Sequence, residues 1–189
     1  MSRYEILIGK KPPPLPPPPP PKVREIVAGE RRAGKSRDLV NCIERSLNKG
    51  YSVIVCVFHP NKYMVDMLGP FRNHVQLIDS KQYRRGHRFY GAQIDAFYYD
   101  DIDLHQDMPE VSNARHFYEA KEIVVSTDLV PRGLCEYLNV MPDWRDVPKK
   151  IKVGMTEWDI VPVPRRLSSE EIVWNPTPDF KQEYFGKFI

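Results

Sequence analysis

Charge of one sign is in short supply: 28 basic against 25 acidic residues leave a net charge of +3 over 189 residues. The average composition therefore announces no nucleic-acid binder, and any basic patch has to be local. Cysteine is scarce too. Cys42, Cys56 and Cys135 form neither a paired framework nor a metal-ligand spacing, which argues against a secreted, stapled scaffold and for a reducing compartment. No apolar run approaches the roughly 18 residues of a membrane span. Met1 to Gly9 lacks the long hydrophobic region of a signal peptide. The expectation is a soluble, cytoplasmic protein without a membrane partner, and no internal repeat divides the chain.

What is present suffices for one core, since 41% of residues are hydrophobic and 11% aromatic. Residues 12 to 21 are nine prolines and one leucine. Fixed φ and missing donors make this run an extended polyproline II rod. Before it, Tyr4 to Ile8 reads as a short strand able to pair with a sheet edge. From Lys22 onward, strand-like apolar runs alternate with helical stretches, the pattern of an α/β fold with a mainly parallel sheet.

The strands expected are Val23 to Ala28, Ser52 to Phe58, His74 to Ile78, Ile94 to Tyr99 and Glu122 to Ser126. Helices are expected over Ser36 to Asn48, Asn61 to Leu68 and Val111 to Ala120. After Pro131, prolines recur too often for long helices to persist. The chain thus divides into an N-terminal arm (1–21), a core (22–141) and a Pro-rich C-terminal extension (142–189). Within the extension, alternation over Lys150 to Val163 suggests a β-hairpin, and Phe180 to Ile189 carries four aromatics.

The most specific signal is Gly29-Glu30-Arg31-Arg32-Ala33-Gly34-Lys35-Ser36, a Gly-x-x-x-x-Gly-Lys-Ser loop set between a strand and an amphipathic helix. Phosphates need several backbone N–H donors converging on one point, and such a loop supplies them together with a helix N-terminus. Gly29 and Gly34 allow the tight path, Lys35 reaches the β- and γ-phosphates, and the Ser36 hydroxyl is placed for Mg²⁺. The stretch expected to face a nucleotide runs from Gly29 to Arg37. Arg31 and Arg32 are unusual inside such a loop. A cation there can stabilise charge on a phosphoryl group in flight.

Further on, Ala96-Phe97-Tyr98-Tyr99-Asp100-Asp101 places two carboxylates at the end of an apolar strand. This resembles a Walker B motif, which implies that Asp100 holds the Mg²⁺ shell and that Asp101 orients the attacking water, with Asp103 left open as the alternative base. The next strand, Glu122 to Asp128, ends in small polar groups. It resembles the additional strand of many P-loop ATPases, on which Thr127 or Asp128 would sense the γ-phosphate.

Together these features resemble the additional-strand division of P-loop NTPases, whose fold is a three-layer α/β arrangement around a mainly parallel sheet. The arginine-bearing loop is similar to those of viral genome-packaging ATPases. That resemblance implies an ATP- and Mg²⁺-dependent hydrolase, working as a homo-oligomeric ring on DNA in the host cytoplasm. Tyr99-Asp100-Asp101-Ile102 is also similar to the corresponding motif of replication initiators and helicase loaders. A small nucleoside or nucleotide kinase is a third class, with Arg84, Arg85 and Arg88 available for a lid.

Lys81 to Tyr90 concentrates five basic or titratable side chains and three aromatics in ten residues. That mixture suits single-stranded nucleic acid, with Arg84, Arg85 and Arg88 on phosphates and aromatic rings under bases. His59 and His105 lie nearest the expected site but have no partners at metal-ligand spacing. Both read as structural histidines, and neither zinc nor histidine catalysis is expected.

Overall fold

Short runs of β-branched and aromatic residues build the sheet. The computed structural model describes residues 15–18, 21–59, 62–85, 93–107, 119–130, 132–140 and 146–163. Its strands are β1 (Val23–Gly29), β2 (Ile54–Phe58), β3 (Val75–Asp79), β4 (Ala96–Tyr99), β5 (Glu122–Asp128), β6 (Lys150–Val153) and β7 (Thr156–Val163). The helices are α1 (Lys35–Asn48), α2 (Lys62–Leu68), α3 (Ser80–Arg84) and α4 (Leu134–Leu138), and a 3₁₀ turn covers Gly69–His74. The expected strand Tyr4 to Ile8, the tail Phe180 to Ile189, half of the polyproline run and nearly all of the expected helix Val111 to Ala120 lie outside the described residues.

The seven strands form one sheet in the order β3-β2-β4-β5-β1-β7-β6. Every neighbouring pair is parallel except the β6–β7 hairpin. β1, β2, β4 and β5 are buried on both faces, whereas β3, at the sheet edge, keeps Gln76 exposed. Alternate residues feed two cores. Ile26, Val55, Val57, Phe97, Tyr99, Ile123 and Val125 face one side. Val27, Ile54, Cys56, Ala96, Tyr98 and Val124 face the other, beneath Leu39, Val40 and Ile43 of α1 and Met64 and Leu68 of α2. This is an α/β fold with a mostly parallel sheet. No helix among the described residues is long and apolar enough to cross a membrane.

Observed strand starts differ from the sequence expectation for an identifiable reason. The Ser52 and Val53 amides donate to the Asp95 carboxylate, at 3.0 and 3.2 Å, so β2 and β4 begin only after this cross-link. The C-terminal extension also contributes more than an appendage would. Trp158 and Ile160 turn inward while Glu157 and Asp159 turn out, and β7 lies parallel to β1 from Glu25↔Asp159 to Gly29↔Val163. Trp158, 1% exposed, is among the largest fully buried side chains. Through β6 and β7 the extension belongs to the same sheet.

One buried polar network fixes α1 along the sheet. The Tyr98 hydroxyl lies 2.6 Å from Ser46 Oγ and donates to Glu122 Oε1 at 3.0 Å, while Lys49 Nζ donates to Glu122 Oε2 at 2.7 Å. With the C-terminal end of α1 anchored there, its N-terminus stands at the edge where β1, β4 and β5 end.

Candidate functional site

That edge carries a cavity of about 820 Å³ lined by residues 31–38, Met67, Asp100, Asp101, Ser126, Asp128, Pro162 and Val163. Its floor is the loop after β1. Arg32 (φ 60°) and Gly34 (φ 98°) are both left-handed, and Ala33 N donates to the Glu30 carbonyl at 3.2 Å. Alternating handedness of this kind turns successive amides toward one point. Gly34 precedes α1 with no side-chain cap, so the first N–H groups of the helix are left to whatever occupies the cavity. Gly29 has a packing reason: a β-carbon there would stand 2.7 Å from the Val163 carbonyl oxygen. The hairpin thus presses the loop into place.

Lys35 is 9% exposed. Its ammonium donates to the carbonyls of Gly29 (3.1 Å) and Glu30 (2.8 Å) and to Asp128 Oδ1 (2.7 Å). Ser36 Oγ donates to Asp100 Oδ1 at 2.9 Å, joining residues 64 apart in sequence. The same carboxylate oxygen accepts from Ser126 Oγ at 2.9 Å, and Ser126 Oγ in turn accepts from the Asp101 amide at 2.7 Å. Ser126, itself fully buried, therefore ties both aspartates to β5.

The two adjacent aspartates occupy different environments. Asp100 is 2% exposed; burial pushes its carboxyl above the ordinary range, against the pull of the Ser36 and Ser126 hydrogen bonds. Asp101 is left-handed (φ 59°), which swings its side chain out of the strand until it is 57% exposed. Desolvation and then the Asp128 charge raise its carboxyl, opposed by His59, Lys35 and Arg31. A non-glycine residue held at positive φ costs of order 1 kcal/mol or more and persists only where its surroundings impose it. Here the imposers are Ser126, the bond from Ile102 N to the Ser126 carbonyl (2.7 Å), and His59, whose Nε2 lies 3.2 Å from the Asp101 carbonyl while its Nδ1 is 3.2 Å from Ser80 Oγ. His59 is thus a brace between Asp101 and Ser80.

Several residues singled out from the sequence are separated here. Arg31, Arg32 and Arg37 line the cavity and are exposed. Thr127 does not line it: the side chain is fully buried and donates to the Ile102 carbonyl at 2.8 Å. The polar groups of β5 that reach the cavity are its neighbours, Ser126 and Asp128, because side chains alternate along a strand. Asp103 is taken up in its own turn, accepting from the amides of His105 (2.9 Å) and Gln106 (3.2 Å), which leaves Asp101 as the open carboxylate beside Asp100.

Nothing in the sequence marks Met67, Pro162 or Val163, or tells Ser126 from Thr127. For Ser126, Pro162 and Val163 the signal is topological, since β5 and β7 flank β1. The basic segment is also rearranged. Lys81 to Arg84 fall on α3, Tyr83 packs against Phe97 and Tyr99 at centroid distances of 5.9 and 5.7 Å, and so offers no stacking face. Arg84 pairs with the buried Asp107 at 2.6 Å. Arg85 is exposed, while Gly86 to Tyr90, Arg88 included, lie outside the described residues.

Among the described residues no group of three or more His, Cys, Asp or Glu gathers at metal-binding spacing. The oxygen pair Ser36 Oγ and Asp100 Oδ1 nevertheless fits Mg²⁺. That ion prefers hard oxygen donors and commonly takes only one or two from protein, the rest coming from phosphate and water. No protein-family model and no curated protein matches this chain.

Proposed function

We propose that this chain is a P-loop protein of the additional-strand division that binds and hydrolyses ATP with Mg²⁺, in the three-layer arrangement typical of that class. The observation that carries this reading is the 2.9 Å hydrogen bond between Ser36 and Asp100. It brings the hydroxyl of a Gly-x-x-x-x-Gly-Lys-Ser loop to the carboxylate at the end of a separate buried strand, at the wall of one cavity. The strand order supports it, since β5 lies between β1 and β4.

In this reading the loop amides and the uncapped start of α1 hold the phosphates, and Lys35 binds the β- and γ-phosphates. Ser36 and Asp100 hold Mg²⁺, which screens phosphate charge. Asp101, exposed on the cavity wall, orients the attacking water and accepts its proton. Arg31 and Arg32, exposed on the loop, offset charge that develops on the phosphoryl group.

Coupling to DNA movement, with viral genome packaging by a homo-oligomer as the leading case, rests on the arginine-bearing loop and the basic segment. Of that segment Arg85 remains an exposed candidate for phosphate contact. Asp100→Asn and Asp101→Asn separate the roles of the two carboxylates. Asp100→Asn is expected to lose the Mg²⁺ dependence of ATP binding, and Asp101→Asn to bind Mg²⁺-ATP but not hydrolyse it. Normal turnover in both variants contradicts the assignment.

A further inference from the structure

The ammonium of Lys35 has three N–H donors, and each has an acceptor: the carbonyls of Gly29 and Glu30 and the carboxylate of Asp128. The two carbonyls belong to the loop itself and aim the lysine into the cavity. Asp128 is different. It comes from β5, 93 residues away, it carries the charge of a phosphate oxygen, and its side chain is 24% exposed on the cavity wall.

We propose that Asp128 is a built-in counter-anion: in the empty protein its carboxylate occupies the phosphate position on Lys35, and a polyphosphate binds by displacing it. This inference rests on the phosphate-binding reading of the loop and adds a residue that controls which form of the ligand the site accepts.

The surroundings let the carboxylate leave without disturbing the fold. The Asp128 backbone is pinned by its parallel register with Gly29 and by Leu129 N donating to the Gly29 carbonyl at 3.1 Å. Gly133 packs so closely that an added β-carbon would overlap the Asp128 carbonyl oxygen. Only the side chain is free to exchange, by rotation about its own bonds. Once displaced, it remains at the cavity beside Asp101 and Asp100. A bare polyphosphate then faces three carboxylates, whereas one already complexed with a divalent cation meets them with much of its charge neutralised. Asp128 thereby favours metal-complexed triphosphate over the metal-free anion, by like-charge repulsion in a partly desolvated site.

The test is ATP binding by calorimetry to the whole chain, with Mg²⁺ and with chelator, for wild type, Asp128→Asn and Asp128→Ser. Both variants are expected to bind metal-free ATP at least about fivefold more tightly than wild type, the scale of a partly exposed ion pair. The gain with Mg²⁺-ATP should be smaller. Without ligand they should melt at a lower temperature, having lost the ion pair. A purely structural pair predicts that stability and affinity fall together, so the opposite signs are diagnostic. If wild type binds Mg²⁺-ATP and the folded variants bind metal-free ATP no better than wild type, the counter-anion role is overturned and the phosphate site stands. If no form of the protein binds ATP, both fall.

Discussion

Replacing Ser126 with alanine removes one hydroxyl and two hydrogen bonds from a fully buried position. One is the bond to the Asp100 carboxylate, the other the bond from the Asp101 amide. A charge-assisted bond contributes about 1.5–3 kcal/mol and a neutral one about 1, with a further penalty for an amide left unpaired. The expected loss is therefore about 2–4 kcal/mol at neutral pH, set against total stabilities of about 5–15 kcal/mol for domains of this kind.

The loss should depend on pH, and its sign follows from Asp100. That carboxyl stands above its unfolded value because burial disfavours its charge. Asp100 is thus no burden below the ordinary carboxyl pKa of about 4, and costs the fold stability as pH rises through its raised folded value. The Ser126 hydroxyl moderates that cost by favouring the charged form. Without it the cost grows, so Ser126→Ala should be less destabilising near pH 4 than at pH 8. Urea unfolding at both values, without nucleotide or Mg²⁺, measures the difference. A loss below about 0.5 kcal/mol at pH 8, within the range of neutral surface changes, refutes the bridging role of Ser126, and an equal loss at both pH values refutes the link to Asp100.

Trp158→Ala should destabilise by about 3–5 kcal/mol, the cost of emptying a large buried aromatic site, because Trp158 seats β7 against β1; thermal unfolding that moves by no more than a degree or two would show the hairpin to be dispensable. Arg31→Ala and Arg32→Ala should leave ATP affinity within about tenfold while cutting turnover on the order of a hundredfold or more, the scale of arginine-finger effects. Steady-state kinetics of the single and double variants checks this, and unchanged rates in all three reduce the pair to solvated loop charges.

What the sequence reveals follows the range of the interactions involved. The Gly29 to Ser36 loop is local, and the strand ahead of it and amphipathic helix behind it are readable from apolar periodicity. The parallel character of β1 to β5 is readable too, from the alternation of strand-like runs with helical stretches and from the continuous apolar run of β2. The Lys150 to Val163 hairpin shows in its alternation, but not its berth beside β1, since a strand's neighbour leaves no mark in its own residues. Ser126 and Thr127 look equivalent as text. Which of them faces the cavity depends on the phase of β5 relative to β1 and β4, and the structure gives that place to Ser126. That Asp103 is the alternative to Asp101 is legible in the sequence, but the turn after β4, in which Asp103 accepts the His105 and Gln106 amides, is not. The ion pair of Lys35 with Asp128 joins positions 93 residues apart and has no sequence pattern at all.

The most direct test of the account is Mg²⁺-ATP binding and hydrolysis by wild type beside Lys35→Ala, with the fold of each monitored by circular dichroism and melting. In the proposed function Lys35 is a phosphate ligand at the cavity wall, so its loss should leave the secondary structure intact while lowering ATP affinity and abolishing turnover. A folded Lys35→Ala protein that binds and hydrolyses ATP at the wild-type rate would contradict the central claim.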